Sequence, residues 1–200
     1  MRFMMLATGL LLGMAMMAAG QTASQKTVPA GDAALTYQWV HSNTQPGDCG
    51  CLGLNGGGLS GSWNVSSHVA AVAEVSGGVA TNGPGTGNTL TLVSYMIGGR
   101  YTLPQLAWPH GVHGLKPLQP FAQVLVGVAH AGGGIAGAGD SNTEFAARVG
   151  GGLDLPISKH FAVRVAQVDY YPTLFKNMSN DHQNNLLVAG GVVYRWSRKK

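Results

Sequence analysis

From residue 33 to residue 196, apolar side chains recur at every second position in eight short stretches, each bounded by clusters of Gly, Asn, Asp, Ser or Pro. Period two marks a β-strand with two unlike faces, whereas a helix repeats near 3.6. The stretches are 33–42, 58–65, 68–80, 89–101, 118–131, 143–155, 160–171 and 185–196. In the first, Leu35, Tyr37 and Trp39 share one face, and Thr36 and Gln38 the other. In the fourth, Val93, Tyr95, Ile97 and Tyr101 oppose Ser94, Gly98 and Arg100. The fifth sets Ala122, Val124, Val126 and Val128 against Gln123, Gly127 and Ala129. Glycine supplies 31 of the 200 residues. Each would cost a helix interior about 1 kcal/mol relative to alanine, which argues against a helical domain. The glycines follow no three-residue period, so collagen is excluded as well.

The direction of the two faces follows from charge. Only 10% of residues are charged, against roughly 25% in an ordinary soluble domain. That excludes a disordered polyelectrolyte. A soluble sandwich buries its apolar face and exposes a charged one, but the second face here is Gly, Ser, Ala and isolated charges. The inverse arrangement fits better, with the apolar face toward lipid and the small or polar face lining a narrow interior. Eight strands is the size at which side chains just fill that interior. A spanning strand needs about 9–11 residues, and most of the stretches reach that length. The expected fold is therefore all-β, an eight-stranded antiparallel up-and-down transmembrane barrel. Tight turns at 66–67 and 158–159 alternate with longer connections at 43–57, 81–88, 132–142 and 172–184, as short inner turns and long outer loops would. Segment 102–117, with Pro104, Pro109 and Pro117, is expected as an insertion at the short-turn end.

The start of the chain has a different character. Arg2 is the only charge before Lys26, Met4 to Ala19 is an apolar run, and Ala18-Ala19-Gly20 offers small residues for cleavage. This is the pattern of a secretory signal peptide, and the run is shorter than the 20 or so residues of a spanning helix. An uncleaved anchor is the alternative. The expected organisation is a signal peptide at 1–20, a linker at 21–32, the barrel at 33–196 and a basic tail at 197–200.

In the last stretch Val188, Gly190, Val192, Tyr194 and Trp196 share one face that ends in two aromatics. This resembles the C-terminal signal by which bacterial outer-membrane proteins are recognised and inserted. Ser197-Arg198-Lys199-Lys200 after Trp196 departs from that pattern, in which the aromatic comes last. Arg148-Val149-Gly150-Gly151-Gly152-Leu153-Asp154 before a tight turn, then Phe161-Ala162-Val163-Arg164, look like a penultimate hairpin of the same kind. Over residues 33–196 the chain resembles the small outer-membrane β-barrel family, which includes the transmembrane domain of the outer-membrane protein A type and opacity-like proteins. The resemblance implies a monomeric barrel in the outer membrane of a diderm bacterium. Its partners would be outer-membrane lipid and lipopolysaccharide, with the barrel-assembly machinery during insertion.

Few residues point to chemistry. Glu74, Arg100, Arg148, Asp154 and Arg164, with Arg195, fall on the interior parity. They are expected to pair as a lumen-filling salt-bridge network, because isolated buried charges are costly. Arg164 lies on one parity of its stretch, Gln167 and Asp169 on the other, and a bulge would bring all three inside. Cys49-Gly50-Cys51 is a candidate disulfide across one residue, necessarily strained; soft-metal capture or free thiols are the alternatives. His110 and His113 have metal-chelating spacing for a helix, but Gly111 and the nearby prolines oppose a helix there. No metal or cofactor is expected. No nucleophile motif such as G-x-S-x-G occurs, so no enzyme is expected. A lipid-modifying barrel would have to use His41 with Ser42, or His130 and His182. His68 and His160 close turns within similar segments, Val65-Ser66-Ser67-His68-Val69-Ala70 and Ile157-Ser158-Lys159-His160-Phe161-Ala162. No basic face with interleaved aromatics speaks for nucleic acid. Asp48, Asp140, Glu144 and Asp181 lie toward the outer loops, and Lys116, Lys159, Arg198, Lys199 and Lys200 toward the inner end. The expected role is structural or cell-surface interaction, with no open channel. A soluble periplasmic barrel holding an apolar ligand is the alternative, and the facing of Trp39, Trp63, Tyr95 and Phe145 discriminates between them.

Overall fold

The computed structural model describes residues 29–43, 51–80, 89–107, 116–133, 141–175 and 182–197, with backbone alone for Cys51 and Leu52. The expected signal peptide, Cys49, the Cys51 side chain, His110, His113, Asp48, Asp140, Asp181 and the tail from Arg198 lie outside the described residues.

Eight strands follow one another: β1 (Gly31–Asn43), β2 (Cys51–Asn64), β3 (Val69–Ala80), β4 (Leu90–Thr102), β5 (Gln119–Gly132), β6 (Asn142–Pro156), β7 (Phe161–Thr173) and β8 (Gln183–Trp196). Each pairs antiparallel with the next, and β8 pairs with β1, so the sheet closes. Register partners followed from Gly31 through Trp63, Ala71, Gly99, Val124, Val149, Tyr170 and Leu186 return to β1 at His41, ten residues further on. That stagger obliges the strands to tilt, typically by about 35–45°. Closure leaves no strand edge unpaired, which a bilayer interior demands.

The largest difference from the sequence reading lies in the second strand. The second strand begins at Cys51, not at residue 58, and the first ends at Asn43, so the first long connection is shorter by eight residues than the sequence predicts. Gly53, Gly56, Gly57 and Gly58 resemble a turn cluster, but they are strand glycines at close approaches. A Cβ at Gly56 would lie 2.6 Å from Gly78 Cα, and one at Gly58 would lie 3.0 Å from Gln38 Cδ.

The bulge condition in β7 is met. The β7–β8 register shifts between Arg164 and Gln167, and the β6–β7 register between Leu153 and Asp154. Arg164, Gln167 and Asp169 are all buried inside. The ends of segment 102–117 extend the β4–β5 ladder: Leu106 and Leu118 form a bridge, and Leu103 N donates to Pro120 O at 2.9 Å.

The two similar segments form the same turn. Ser66 Oγ accepts from His68 N (3.3 Å) and Val69 N (3.1 Å), and Ser158 Oγ accepts from His160 N (3.2 Å) and Phe161 N (3.0 Å). These local hydrogen bonds account for the repeated serine. The turns join β2 to β3 and β6 to β7, so they sit across the barrel from each other at one end. We call this the turn end and the opposite one the loop end.

Glycine spacing makes one prediction. A Cβ at lumen-facing Gly98 would lie 2.8 Å from Leu125 Cα and strike the Val124 carbonyl, whereas at Gly61 on the outer face nothing lies within 4 Å. Gly98→Ala should cost about 1–3 kcal/mol through forced backbone shifts. Gly61→Ala should stay within about 0.5 kcal/mol. Urea unfolding of the two variants side by side checks the difference.

Candidate functional site

The strand pleat sends alternate side chains inward, and the lumen they fill is the polar centre of the molecule. Among the described residues, Asp32, Glu74, Asp154 and Asp169 face Arg100, Arg148, Arg164 and Arg195 there, balanced in formal charge. Two hydrogen-bonded systems hold them. The first runs across the turn end. Ser62 Oγ donates to Asp32 Oδ2 (2.6 Å), and Arg100 pairs with Asp32 Oδ1 (3.2 Å) while reaching Gln123 Oε1 (3.3 Å). Gln123 and Gln167 both donate to Asp169 Oδ2, at 3.1 and 2.6 Å. Arg164 donates to Gln167 Oε1 (3.0 Å) and to Asp154 Oδ1 (2.9 Å), and Arg195 lies 3.5 Å from Asp154 Oδ2. Phe121 lies between two guanidinium groups, with Arg100 Cζ 4.7 Å and Arg164 Cζ 4.5 Å from its ring centre. Such cation–π contacts strengthen when desolvated.

The second system sits nearer the loop end. Arg148 pairs with Glu74 Oε1, which also accepts from Gln38 Nε2 at 3.1 Å. Arg148 Nη2 donates to Ser76 Oγ (2.7 Å) and Ser94 Oγ (2.9 Å), and its Cζ lies 4.5 Å from the Tyr171 ring centre. These polar partners offset charges that would otherwise be expensive away from water, although Arg100 Nε, Arg148 Nε and Asp169 Oδ1 have no hydrogen-bond partner among the described residues. A void of about 10 Å³ remains beside Gln38, Val40, Leu54, Ser76, Arg148 and Tyr171, room for no more than one water.

The lumen is not polar throughout, contrary to the reading of the second face as Gly, Ser, Ala and single charges. Toward the loop end it is packed with Val40, Leu54, Ala80, Leu90, Ala129, Ala146, Phe175 and Leu187. Leu54, Leu125 and Leu187 sit on the same parity as serines and glutamines, so each strand has apolar residues on both faces at that depth. Asp32, Phe121 and Tyr171 were also not singled out by sequence. Asp32 shares the parity of Thr36 and Gln38, and reading β1 one residue earlier finds it. Phe121 shares the parity of Gln123. Tyr171 follows the shifted parity beyond the bulge.

The outer face is apolar. Trp39 (38% exposed), Trp63 (52%), Tyr95 (58%) and Phe145 (50%) all point away from the lumen. By register, Trp63, Tyr101, Phe161 and Tyr194 form a girdle at the turn end, and Trp39, Phe145 and Tyr170 one toward the loop end. Exposed Leu35, Leu59, Val75, Ile97 and Val126 lie between. An apolar band flanked by aromatic girdles is the surface of a transmembrane barrel. On β8, Val188, Val192 and Tyr194 are exposed on this face, while Gly190 and Trp196 are half-buried. Tyr194 meets Phe161 edge-on at 5.3 Å and Trp196 at 6.5 Å.

The described histidines do not converge on a reacting group. Ser42 is buried in the lumen while His41 lies on the outer face, its ring 5.5 Å from Trp39, so successive strand positions separate them. His130 Nδ1 sits 2.7 Å from Thr143 Oγ1 on the neighbouring strand, and His182 is exposed beyond the start of β8. Among the described residues no group of three His, Cys, Asp or Glu could hold a metal ion.

Comparison with known proteins agrees with this geometry. The family model described as an outer membrane protein β-barrel domain matches residues 8–195. The crystal structure of Neisserial surface protein A superposes with a TM-score of 0.56 at 12% identity, covering 83% of this chain and 96% of that one. Ail, the attachment invasion locus protein of Yersinia pestis, superposes with a TM-score of 0.52 at 11% identity, covering 83% and 99%. At such identities the likeness is one of fold. Comparison with curated protein sequences gives no match.

Proposed function

The chain belongs to the outer membrane protein β-barrel domain family, and on that premise we propose a closed outer-membrane barrel with a structural or cell-surface role and no catalytic centre. The observation that carries the reading is the inversion of burial, with large apolar side chains outside and paired charges inside. Among the described residues, a lumen packed this tightly leaves little room for a solute path or an apolar ligand. The names of the similar structures, a surface protein and an attachment invasion locus protein, lend support to a role in surface contact. In this reading residues 1–20 export the chain, and Val188, Gly190, Val192, Tyr194 and Trp196 guide insertion by the barrel-assembly machinery. The monomer then rests in outer-membrane lipid with its loop end toward lipopolysaccharide and its turn end in the periplasm. Cys49 and Cys51 would form an outer-loop disulfide.

Membrane fractionation with a gel run before and after boiling tests the proposal. The protein should sediment with the outer membrane and change mobility on boiling, as a closed barrel resists detergent until heated. Recovery in the periplasmic supernatant without detergent would overturn it.

A further inference from the structure

The turn end carries two copies of one turn, and they differ in charge. In both, a serine hydroxyl accepts from the next backbone amides and the histidine stacks on a tyrosine of the adjoining strand. His68 lies 6.0 Å from Tyr101, and His160 lies 6.2 Å from Tyr194. Both have exposed apolar residues beside them: Val65, Val69 and Tyr101 at one, Ile157, Phe161 and Tyr194 at the other. The β2–β3 turn places Ser67 at its tip, the β6–β7 turn Lys159. Among the described residues a second ammonium joins the latter turn, where Lys116 Nζ donates to Ile157 O at 3.2 Å. Asp154, the carboxylate nearest in sequence, faces the lumen and is held by Arg164 and Arg195. His160 Nδ1 lies 3.1 Å from Arg195 O. A carbonyl only accepts, so Nδ1 carries the proton and the ring is fixed across the turn.

We propose that Lys116, Lys159 and the apolar step of Ile157, Phe161 and Tyr194 form a docking site for an anionic phospholipid of the periplasmic leaflet. The inference rests on the membrane-barrel reading above. A phospholipid presents a charged headgroup directly above its acyl chains. The site has the complementary order, with two ammonium groups at the rim and exposed aromatic and aliphatic side chains immediately below. The β2–β3 turn has the same backbone and the same apolar step but no lysine, so it serves as a built-in control. Basic side chains near an anionic membrane surface each add favourable binding that decays within a Debye length.

Native mass spectrometry of the folded full barrel, with equimolar phosphatidylglycerol and phosphatidylethanolamine in the micelle, reads the site directly. Phosphatidylglycerol should be retained with a preference of roughly tenfold. The double substitution Lys116→Gln/Lys159→Gln should abolish that preference, and high salt should weaken it in the unaltered protein. Equal retention of the two lipids, or a preference that survives the double substitution, would overturn the site. Both lysines lie outside the strand interior, so the double variant should keep its boiling-dependent gel shift. A protein lacking that shift altogether would instead contradict the membrane barrel itself, which separates the two failures.

Discussion

Glu74→Ala is expected to lower the stability of the refolded barrel by about 3–5 kcal/mol, because it strands the buried Arg148 guanidinium without its counter-charge. Arg148 is among the most deeply buried side chains, and the Glu74 carboxylate is nearly as inaccessible. The serine hydroxyls at Ser76 and Ser94 accept from Arg148 but carry no charge to replace the carboxylate. The companion experiment removes both charges. In Glu74→Leu/Arg148→Met, Ser76 and Ser94 retain each other at 2.7 Å, and Gln38 retains Thr36 Oγ1 at 3.2 Å. Neither member of the pair is left behind without the other, so most of the loss should be recovered, as when buried ion pairs elsewhere are replaced by apolar groups of similar volume. Urea unfolding in phospholipid bilayers measures both. A single variant within about 0.5 kcal/mol of the unaltered protein, the range of an ordinary surface change, would show that the lumen is wetter than its packing implies.

Ile97→Arg should destabilise the barrel by about 2–4 kcal/mol in a bilayer, the cost of a lipid-facing arginine near the midplane. Ile97 is 66% exposed and lies midway between the two aromatic girdles. Val65, 73% exposed, sits at the start of the β2–β3 turn. Val65→Arg should cost only about 0–1 kcal/mol, since the penalty falls toward the interface. The two sites are similarly exposed, so the depth of each residue in lipid is what the comparison measures. In a water-soluble barrel both changes would fall within about 0.5 kcal/mol. A flat response across the two sites would therefore count against lipid contact more directly than any localisation experiment.

Parity carried much of the molecule. On β4, Tyr95, Ile97 and Tyr101 separate from Ser94, Gly98 and Arg100 by alternation alone, because a pleated strand has no other way to place successive side chains. The conflict of parity between Arg164 and Asp169 marks the β7 bulge in the sequence alone. Parity failed where residue type was ambiguous. Gly53, Gly56, Gly57 and Gly58 resemble a turn to any reading of composition, yet they are strand residues where side chains would collide. Leu54, Leu125 and Leu187 face inward although their strands are apolar on the outer face too, so alternation had no contrast to detect there. Lysine placement was legible in sequence, but the meeting of Lys116 with the β6–β7 turn was not.

The chain by itself determined that there would be strands, which residues would share a face, and that the apolar face would need something other than water. Those are consequences of local geometry and composition, which act over a few residues. Closure decided the rest. The ten-residue stagger brings Glu74 to Arg148 and Asp32 to Arg100 across the lumen, partners separated by 74 and 68 positions in sequence. Local pattern contains no information about such pairs, because only the tilt and register of a closed sheet set which inward side chains lie at the same height.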